Sequence, residues 1–552
     1  MKSPGNDRAG NPDPSNLRGK LQPASFHAPL VVVGAGAAGL AAATEAARLG
    51  VSVTLIEEHP IDPVLMGMDI PLRFGGRMDA SVNGRGSVME RLVETRPAIA
   101  EAFELGVNVQ LGVSAWGVFP AETVASLPKS MLGLSDGEQS WMVSYDHLIV
   151  ATGARDLGLS FPSWDTPGVV GARGAEELLT TYRAFSARTM VVLGTGGLAL
   201  RVCRAATKAG IAVAAAVDVD AAEMQPERRV EFEKLGITIH LGRVVEALCD
   251  QTTGVTGIRL RPAAEGTSSD AEASDALEIA CDTICSAIGV VPAVELLAAA
   301  GCAMTFDPWR GGYRPELDGV MRTSFPTILA AGDCTGVSEE ECDSPERAIR
   351  QGRDTARTVA MDLGLETVFA APDNGRGNAA YGRGTRDEVG YWNRWLQASC
   401  RAGGETLPIC ICEDVSLADL VEVLPPAYVR RSCRRDPSTK GFGALLAEPP
   451  VNQDQIKRIT RAGMGACQGR RCRDQVAMLL AASAGIDGAE IPLATYRPPV
   501  RPLPLSVLAP KQEAAIISQS WVSWFSIPTQ SQFVEGAAAE RDLDSVEADS
   551  RE

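Results

Sequence analysis

The sequence predicts an α/β fold with two Rossmann-like dinucleotide-binding domains followed by a small cysteine-bearing domain. Three observations predict it. Strand–glycine turn–helix signatures begin at Leu30 and again at Met190. An apolar run, Ile328 to Ala331, leads late in the chain into Gly332-Asp333. Finally, Cys410-x-Cys412 and Cys467-x4-Cys472 place four thiols in two short clips.

The first unit runs Leu30-Val31-Val32-Val33, then Gly34-Ala35-Gly36-Ala37-Ala38-Gly39, an Ala/Leu helix through Arg48, and a strand from Val51 ending at Glu57. Gly34 permits the tight turn, Gly36 lets backbone approach a pyrophosphate, and Gly39 lets helix and strand pack closely, with Ala38 between them. The helix N-terminus then offers N–H groups to phosphate. Glu57 ends the second strand, where a carboxylate accepts hydrogen bonds from ribose hydroxyls. Tyr145 to Val150 forms another strand, running into Ala151-Thr152-Gly153. Residues between Pro60 and Pro97 read as irregular.

The second unit repeats the pattern. A strand, Met190 to Leu193, meets Gly194-Thr195-Gly196-Gly197-Leu198-Ala199, and a strand from Ile211 ends before Asp218. Gly194, Gly196 and Ala199 fit G-x-G-x-x-A. An acid at Asp218 suits the free 2′-hydroxyl of NAD over a 2′-phosphate. The motif alone leaves NAD binding and a relic fold equally open. Ala263 to Ser274 reads as a surface hairpin loop.

Two close cysteine pairs across a 54-residue spacer offer a soft S4 set, suited to zinc or a [2Fe-2S] cluster. The glycines around Cys467 and Cys472 let backbone N–H groups point at sulfur. Spacing by itself leaves zinc and inert buried thiols open. Cys433, in the spacer, reads as a spare thiol.

Composition narrows the class. The chain has 552 residues, 45% apolar and 22% charged, and a formal net charge of −17. That charge argues against nucleic-acid and anionic-membrane partners. Met1 to His27 is polar, without the apolar core of a signal peptide. Ala28 to Ala43 is apolar but broken by glycines, so it reads as strand–turn–helix, not as an integral membrane segment. The expected location is cytoplasmic, where thirteen cysteines stay mostly reduced. No cysteine precedes Val202, so the redox pair of a glutathione-reductase-type enzyme is absent. The histidines (27, 59, 147 and 240) lie outside any motif and read as structural.

Further matches define a family resemblance. They are Trp116 to Pro120, Leu148 to Arg155, Phe161 to Val169, Gly332-Asp333, the C-x-C-E start at Cys410, Met464 to Cys472, and Arg497 to Pro502. Together these resemble the large (alpha) flavoprotein subunit of hetero-oligomeric amine and opine dehydrogenases, the group of opine oxidase, hydrogen cyanide synthase and D-hydroxyproline dehydrogenase. The resemblance implies the FAD/NAD-linked reductase type of fold, with a helical domain like that of bacterioferritin-associated ferredoxin (BFD-like) holding [2Fe-2S] on Cys410, Cys412, Cys467 and Cys472. It implies FAD held by the first unit, with Asp333 on its ribityl–phosphate part, and FMN shared at a subunit interface. A smaller FAD-containing beta subunit would oxidise the C–N bond of a secondary amine, opine or amino acid, with room for a small third subunit. Gly75-Gly76-Arg77 departs from the family's Gly-Gly-Gln, and the cysteine spacer is longer by a segment around Pro425 to Val451.

The expected boundaries are a disordered N-terminus (1–27), an FAD domain (28–160 and 286–361), a second Rossmann domain (161–285), a linker (362–406), the [2Fe-2S] domain (407–491), and a Pro-rich segment with an acidic tail (492–552). Two rival functions stay open: a self-sufficient NADH-dependent reductase, and a scaffold with zinc at the cysteines.

Overall fold

The computed structural model describes residues 23–61, 80–124, 127–221, 224–263, 276–338, 345–365, 386–430 and 452–508. Gly75-Gly76-Arg77, Cys433, most of the expected 263–274 loop, most of the longer spacer and the acidic tail lie outside them.

The first sheet has seven strands. Six are β1 (Phe26–Val33), β2 (Val53–Glu57), β3 (Asn108–Leu111), β4 (Ser114–Phe119), β5 (Met131–Ser135) and β6 (Ser140–Val150), in the order β3-β2-β1-β6-β5-β4. The strand Ile328–Ala330 adds in parallel beside β6, so the chain's late return closes the sheet it began. The run Leu30 to Val33, a leucine and three β-branched valines, is buried, as a central parallel strand covered on both faces requires. It pairs Val31 with Thr54 on one side and with Leu148 on the other. Helix α1 (Ala37–Arg48) follows β1 and packs on the long helix Glu346–Asp362. Gly352 sets that contact: a Cβ there would sit 2.1 Å from the Ala38 carbonyl oxygen.

The second sheet repeats the design with β7 (Val169–Gly171), β8 (Thr189–Leu193), β9 (Ala212–Val217), β10 (Thr238–His240) and β11 (Thr283–Ser286). Its order is β10-β9-β8-β11-β7, all parallel. Helix α2 (Gly197–Lys208) follows β8 as α1 follows β1.

Two expectations need correction. The segment expected to be irregular up to Pro97 contains a helix, Arg85–Thr95. More consequentially, the expected linker contains helix α3 (Glu388–Gly403). Its Val389, Tyr391, Trp392, Trp395 and Leu396 are buried in one core with the second sheet. Their spacing is that of a helix face. The Gly/Arg-rich composition around them obscured it. Burying side chains of this size contributes roughly 1.5–3 kcal/mol each, so this stretch is a wall of the second domain.

The cysteine segment forms a compact unit. Pro408–Cys410 pairs antiparallel with Val415–Ser416, and Ser416 and Asp419 form a capping box on Leu417–Val421. Helices Gln453–Thr460 and α4 (Arg473–Ala484) complete it around Leu407, Ile409, Leu420, Ile456 and Leu480. This unit is fastened to the segment around Gly158 to Ser160. Gln475, fully buried, accepts from Ser160 N and Oγ at 3.0 and 2.8 Å and donates to the Ile409 carbonyl at 2.8 Å. Gly158 lies so close to Arg471 that a Cβ would meet its carbonyl oxygen at 1.9 Å.

Candidate functional site

The turn after β1 is built as a nucleotide cradle. Gly34 has φ 103° and sits where a Cβ would stand 2.3 Å from the Ala151 oxygen, so only glycine fits. Gly39 packs against the Gly34 carbonyl, where a Cβ would approach to 1.8 Å. Nothing lies within 4 Å of a Cβ at Gly36, and no acid stands in the first turn of α1. That open space is part of a cavity of about 310 Å³. Its lining includes Gly34, Gly36, Glu57, Ala151, Thr152 and Gly153. Arg155, Arg173, Arg470 and Arg501 also reach it. An open helix N-terminus facing guanidinium groups suits a pyrophosphate, so the residues fit the phosphate part of FAD.

Ala38, Gly39, Gly332 and Asp333 do not line this cavity. Ala38 and Gly332 pack against each other, and a Cβ at Gly332 would lie 2.9 Å from that of Ala38. Asp333 sits 3.5 Å from Arg173, which lines the cavity, and 3.6 Å from Arg347.

Glu57 is buried, accepts from Ala35 N at 2.6 Å, and contacts His59 Nδ1 at 2.6 Å. Burial would raise its carboxyl, but the hydrogen bond and charge of His59, then Arg96, hold it down at about 2. Burial likewise depresses His59, and Glu57 more than offsets this, lifting the imidazole to about 9. The pair is therefore ionic near neutrality. His59 sits in the lining, held by Glu57. Its place two residues beyond Glu57 was the available signal.

The four cysteines form two hydrogen-bonded pairs within electrostatic reach of each other. Cys472 donates to Cys410, and Cys412 donates to Cys467. Backbone N–H groups of Gly463 aim at Cys410, and those of Arg471 and Gly469 aim at Cys467. The Cys467 thiol is accordingly lowered to about 5, first by the Cys412 hydrogen bond. Cys410, Cys467 and Cys472 are buried, and Cys412 is partly open. Among the described residues no three or more donors gather as a single ion would need. Two thiol pairs with N–H donors at their sulfurs have the chemistry of a thiolate-held centre.

The cavity and the cysteines share a wall. Arg155 Nε bonds Glu295 at 2.9 Å, its Nη2 bonds Asp474 at 2.9 Å, and its Nη1 donates to the Arg470 carbonyl at 2.6 Å. Arg470, 3% exposed, donates to the Cys467 carbonyl at 3.2 Å and to the Val500 carbonyl. Burial opposes the charge of Arg155, but Asp474 and Glu295 outweigh it. Sequence reasoning assigned no role to these arginines, although Arg155 stands two residues beyond Ala151-Thr152-Gly153.

The second motif is built like the first. Gly194 has φ 104°, and a Cβ would lie 2.6 Å from the Ala287 oxygen. Ala199 is fully buried under it. The cavity that Gly196 lines together with Arg386 and Tyr391, by contrast, holds about 10 Å³. Asp218 accepts from Thr195 Oγ1 at 2.6 Å and from the Tyr391 hydroxyl at 3.0 Å.

Fold and site together define an FAD-dependent oxidoreductase built on paired dinucleotide folds. The chain belongs to the Pyridine nucleotide-disulphide oxidoreductase family, whose description matches residues 28–352. The Sarcosine oxidase A3 domain matches residues 445–512. An opine oxidase subunit from Agrobacterium tumefaciens (strain Ach5) is 24% identical, over 87% of this chain and 91% of that protein. Hydrogen cyanide synthase subunit HcnB of Pseudomonas aeruginosa is 26% identical, over 80% and 90%. The L-proline dehydrogenase from P. horikoshii aligns with a TM-score of 0.55 at 19% identity, covering 89% of this chain and 81% of that one, which shows the shared fold. Among the described residues no helix is long and apolar enough to cross a membrane.

Proposed function

We propose that the chain is the large, electron-relaying subunit of a dehydrogenase or oxidase of secondary amines, opines or amino acids. It would hold FAD in the cavity over Gly36 and a [2Fe-2S] cluster on Cys410, Cys412, Cys467 and Cys472. A smaller flavin-bearing subunit would supply the amine site, with FMN between the two chains. The expected boundaries at 160, 286, 362 and 407 serve as the working domain division, with α3 assigned to the second domain.

The observation that carries this reading is the shared wall. Arg470 borders the cavity and donates to the Cys467 carbonyl. Arg155, also lining the cavity, ties Arg470 and Asp474 to Glu295. A flavin takes two electrons from an amine and releases them singly, which is the chemistry a one-electron cluster needs beside it. The chain's own residues bind and orient. Glu57 presents a fixed carboxylate, Arg155 and Arg470 hold cavity and cysteines in register, and the N–H groups around Cys467 stabilise thiolate charge. Two of the relatives, from opine oxidase and hydrogen cyanide synthase, are themselves named as subunits, which supports a hetero-oligomer.

A visible spectrum with flavin, iron and zinc analysis of the purified protein tests this. Flavin absorbance with about two irons per chain is expected for a [2Fe-2S] protein. A colourless, zinc-containing protein would overturn the reading. So would full amine-oxidising activity of the chain purified alone.

A further inference from the structure

The two glycine turns of this chain share one construction and differ in what stands over them. Both hold their first glycine at φ 103–104° beneath the carbonyl of a neighbouring strand end. The cavity lined by Gly36 holds about 310 Å³, and the one lined by Gly196 about 10 Å³. The difference is helix α3 and the residues just before it. Gly196 shares its residual space with Arg386, Glu388 and Tyr391. The Tyr391 ring is 2% exposed, and the Arg386 guanidinium stacks on it at 3.2 Å from the ring centre.

Asp218 stands where a dinucleotide fold presents its carboxylate to ribose hydroxyls. Here Oδ2 accepts from Thr195 and Tyr391, and Oδ1 accepts from Asp220 N at 3.1 Å. The Tyr391 phenol thus donates to the acid as a ribose hydroxyl would. The helix bearing it is fastened down. Arg394 grips Asp220 through two bonds of 2.7 and 2.8 Å, and Trp392 and Trp395 are 2% and 0% exposed. Displacing Tyr391 would bring both tryptophans toward water.

We propose that Tyr391 and Arg386 decide the nucleotide specificity of the second domain: they occupy the ribose position at Asp218 and exclude NAD(H) and NADP(H). A reduced pyridine nucleotide is then no electron donor to this chain, and the donor belongs to another chemical class. This goes beyond the amine reading, and its test reads nucleotide binding alone, so the two can fail separately.

Full-length protein is titrated anaerobically with NADH by calorimetry. Wild type is expected to show no saturation up to about 1 mM, whereas Tyr391→Ala with Arg386→Ala binds at least roughly 10-fold more tightly. Tyr391→Phe, which keeps the ring, still excludes NADH. Saturation of wild type at micromolar NADH would overturn the proposal. So would a folded double variant, with wild-type circular dichroism and flavin content, that binds no better than wild type. If the double variant does not fold, amide exchange of wild type decides: NADH protection at Gly194 to Gly196 overturns the proposal, and unchanged exchange supports it.

Discussion

At the scale of single residues, Glu57 and His59 form the sharpest electrostatic feature of the cavity. Glu57 titrates below its ordinary value of 4.5, at about 2, so its stabilisation is present above pH 4.5 and is lost as pH falls toward 2. His59 titrates above its ordinary 6.5, at about 9, so its stabilisation is complete below pH 6.5 and is lost as pH rises toward 9. The pair therefore contributes fully between about pH 4.5 and 6.5. A hydrogen bond to a charged partner is worth about 1.5–3 kcal/mol. Thermal melting of wild type should fall between pH 6.5 and 9, and His59→Gln should flatten that fall. Equal pH slopes in the two proteins would refute the pairing. Gly34 gives a second residue-scale prediction. Gly34→Ala drives a Cβ to 2.3 Å from the Ala151 oxygen at a φ that L-residues avoid. Flavin content after purification should drop at least roughly 10-fold, measured by released-flavin fluorescence.

At the scale of elements, sequence patterning found the strands and glycine turns because their signals are local. The apolar run Leu30 to Val33 and the turn at Gly34 announce themselves within ten residues. Helix α3 was obscured because its apolar face, Val389 to Leu396, lies in Gly- and Arg-rich surroundings that read as a linker. The fit between elements yields a prediction of its own. Gly158 abuts the Arg471 carbonyl, with no room for a methyl group. Gly158→Ala should push the cysteine segment off the first domain at a cost of about 1–3 kcal/mol. Iron content should fall while flavin content stays near wild type. Equal loss of both would mean that the contact serves general folding instead.

At the scale of the whole molecule, the described cysteine unit and the first nucleotide domain are joined through buried polar groups, Gln475, Arg155 and Arg470. Breaking one partner of such a network leaves buried groups unsatisfied. Arg155→Ala strips Glu295 and Asp474 of their shared cation, and is expected to destabilise the chain by about 3–5 kcal/mol, read by denaturant unfolding. Cys467→Ser should abolish the visible signature of a cluster while leaving flavin absorbance in place. Survival of that signature would move the ligand set elsewhere.

Short-range patterns of glycine, valine and cysteine were enough to read the paired dinucleotide folds and the candidate thiol set, whereas the return of Ile328 to Ala330 beside β6 is a long-range pairing. What those patterns are free to do depends on the packing of distant segments. That packing brought Arg155 and Arg470, 315 residues apart, into one wall between cavity and cysteines. It also laid Tyr391, 173 residues beyond Asp218, over the second nucleotide turn. The physical reason is that a motif fixes the backbone geometry of a site, whereas packing from distant segments fixes the volume left beside it.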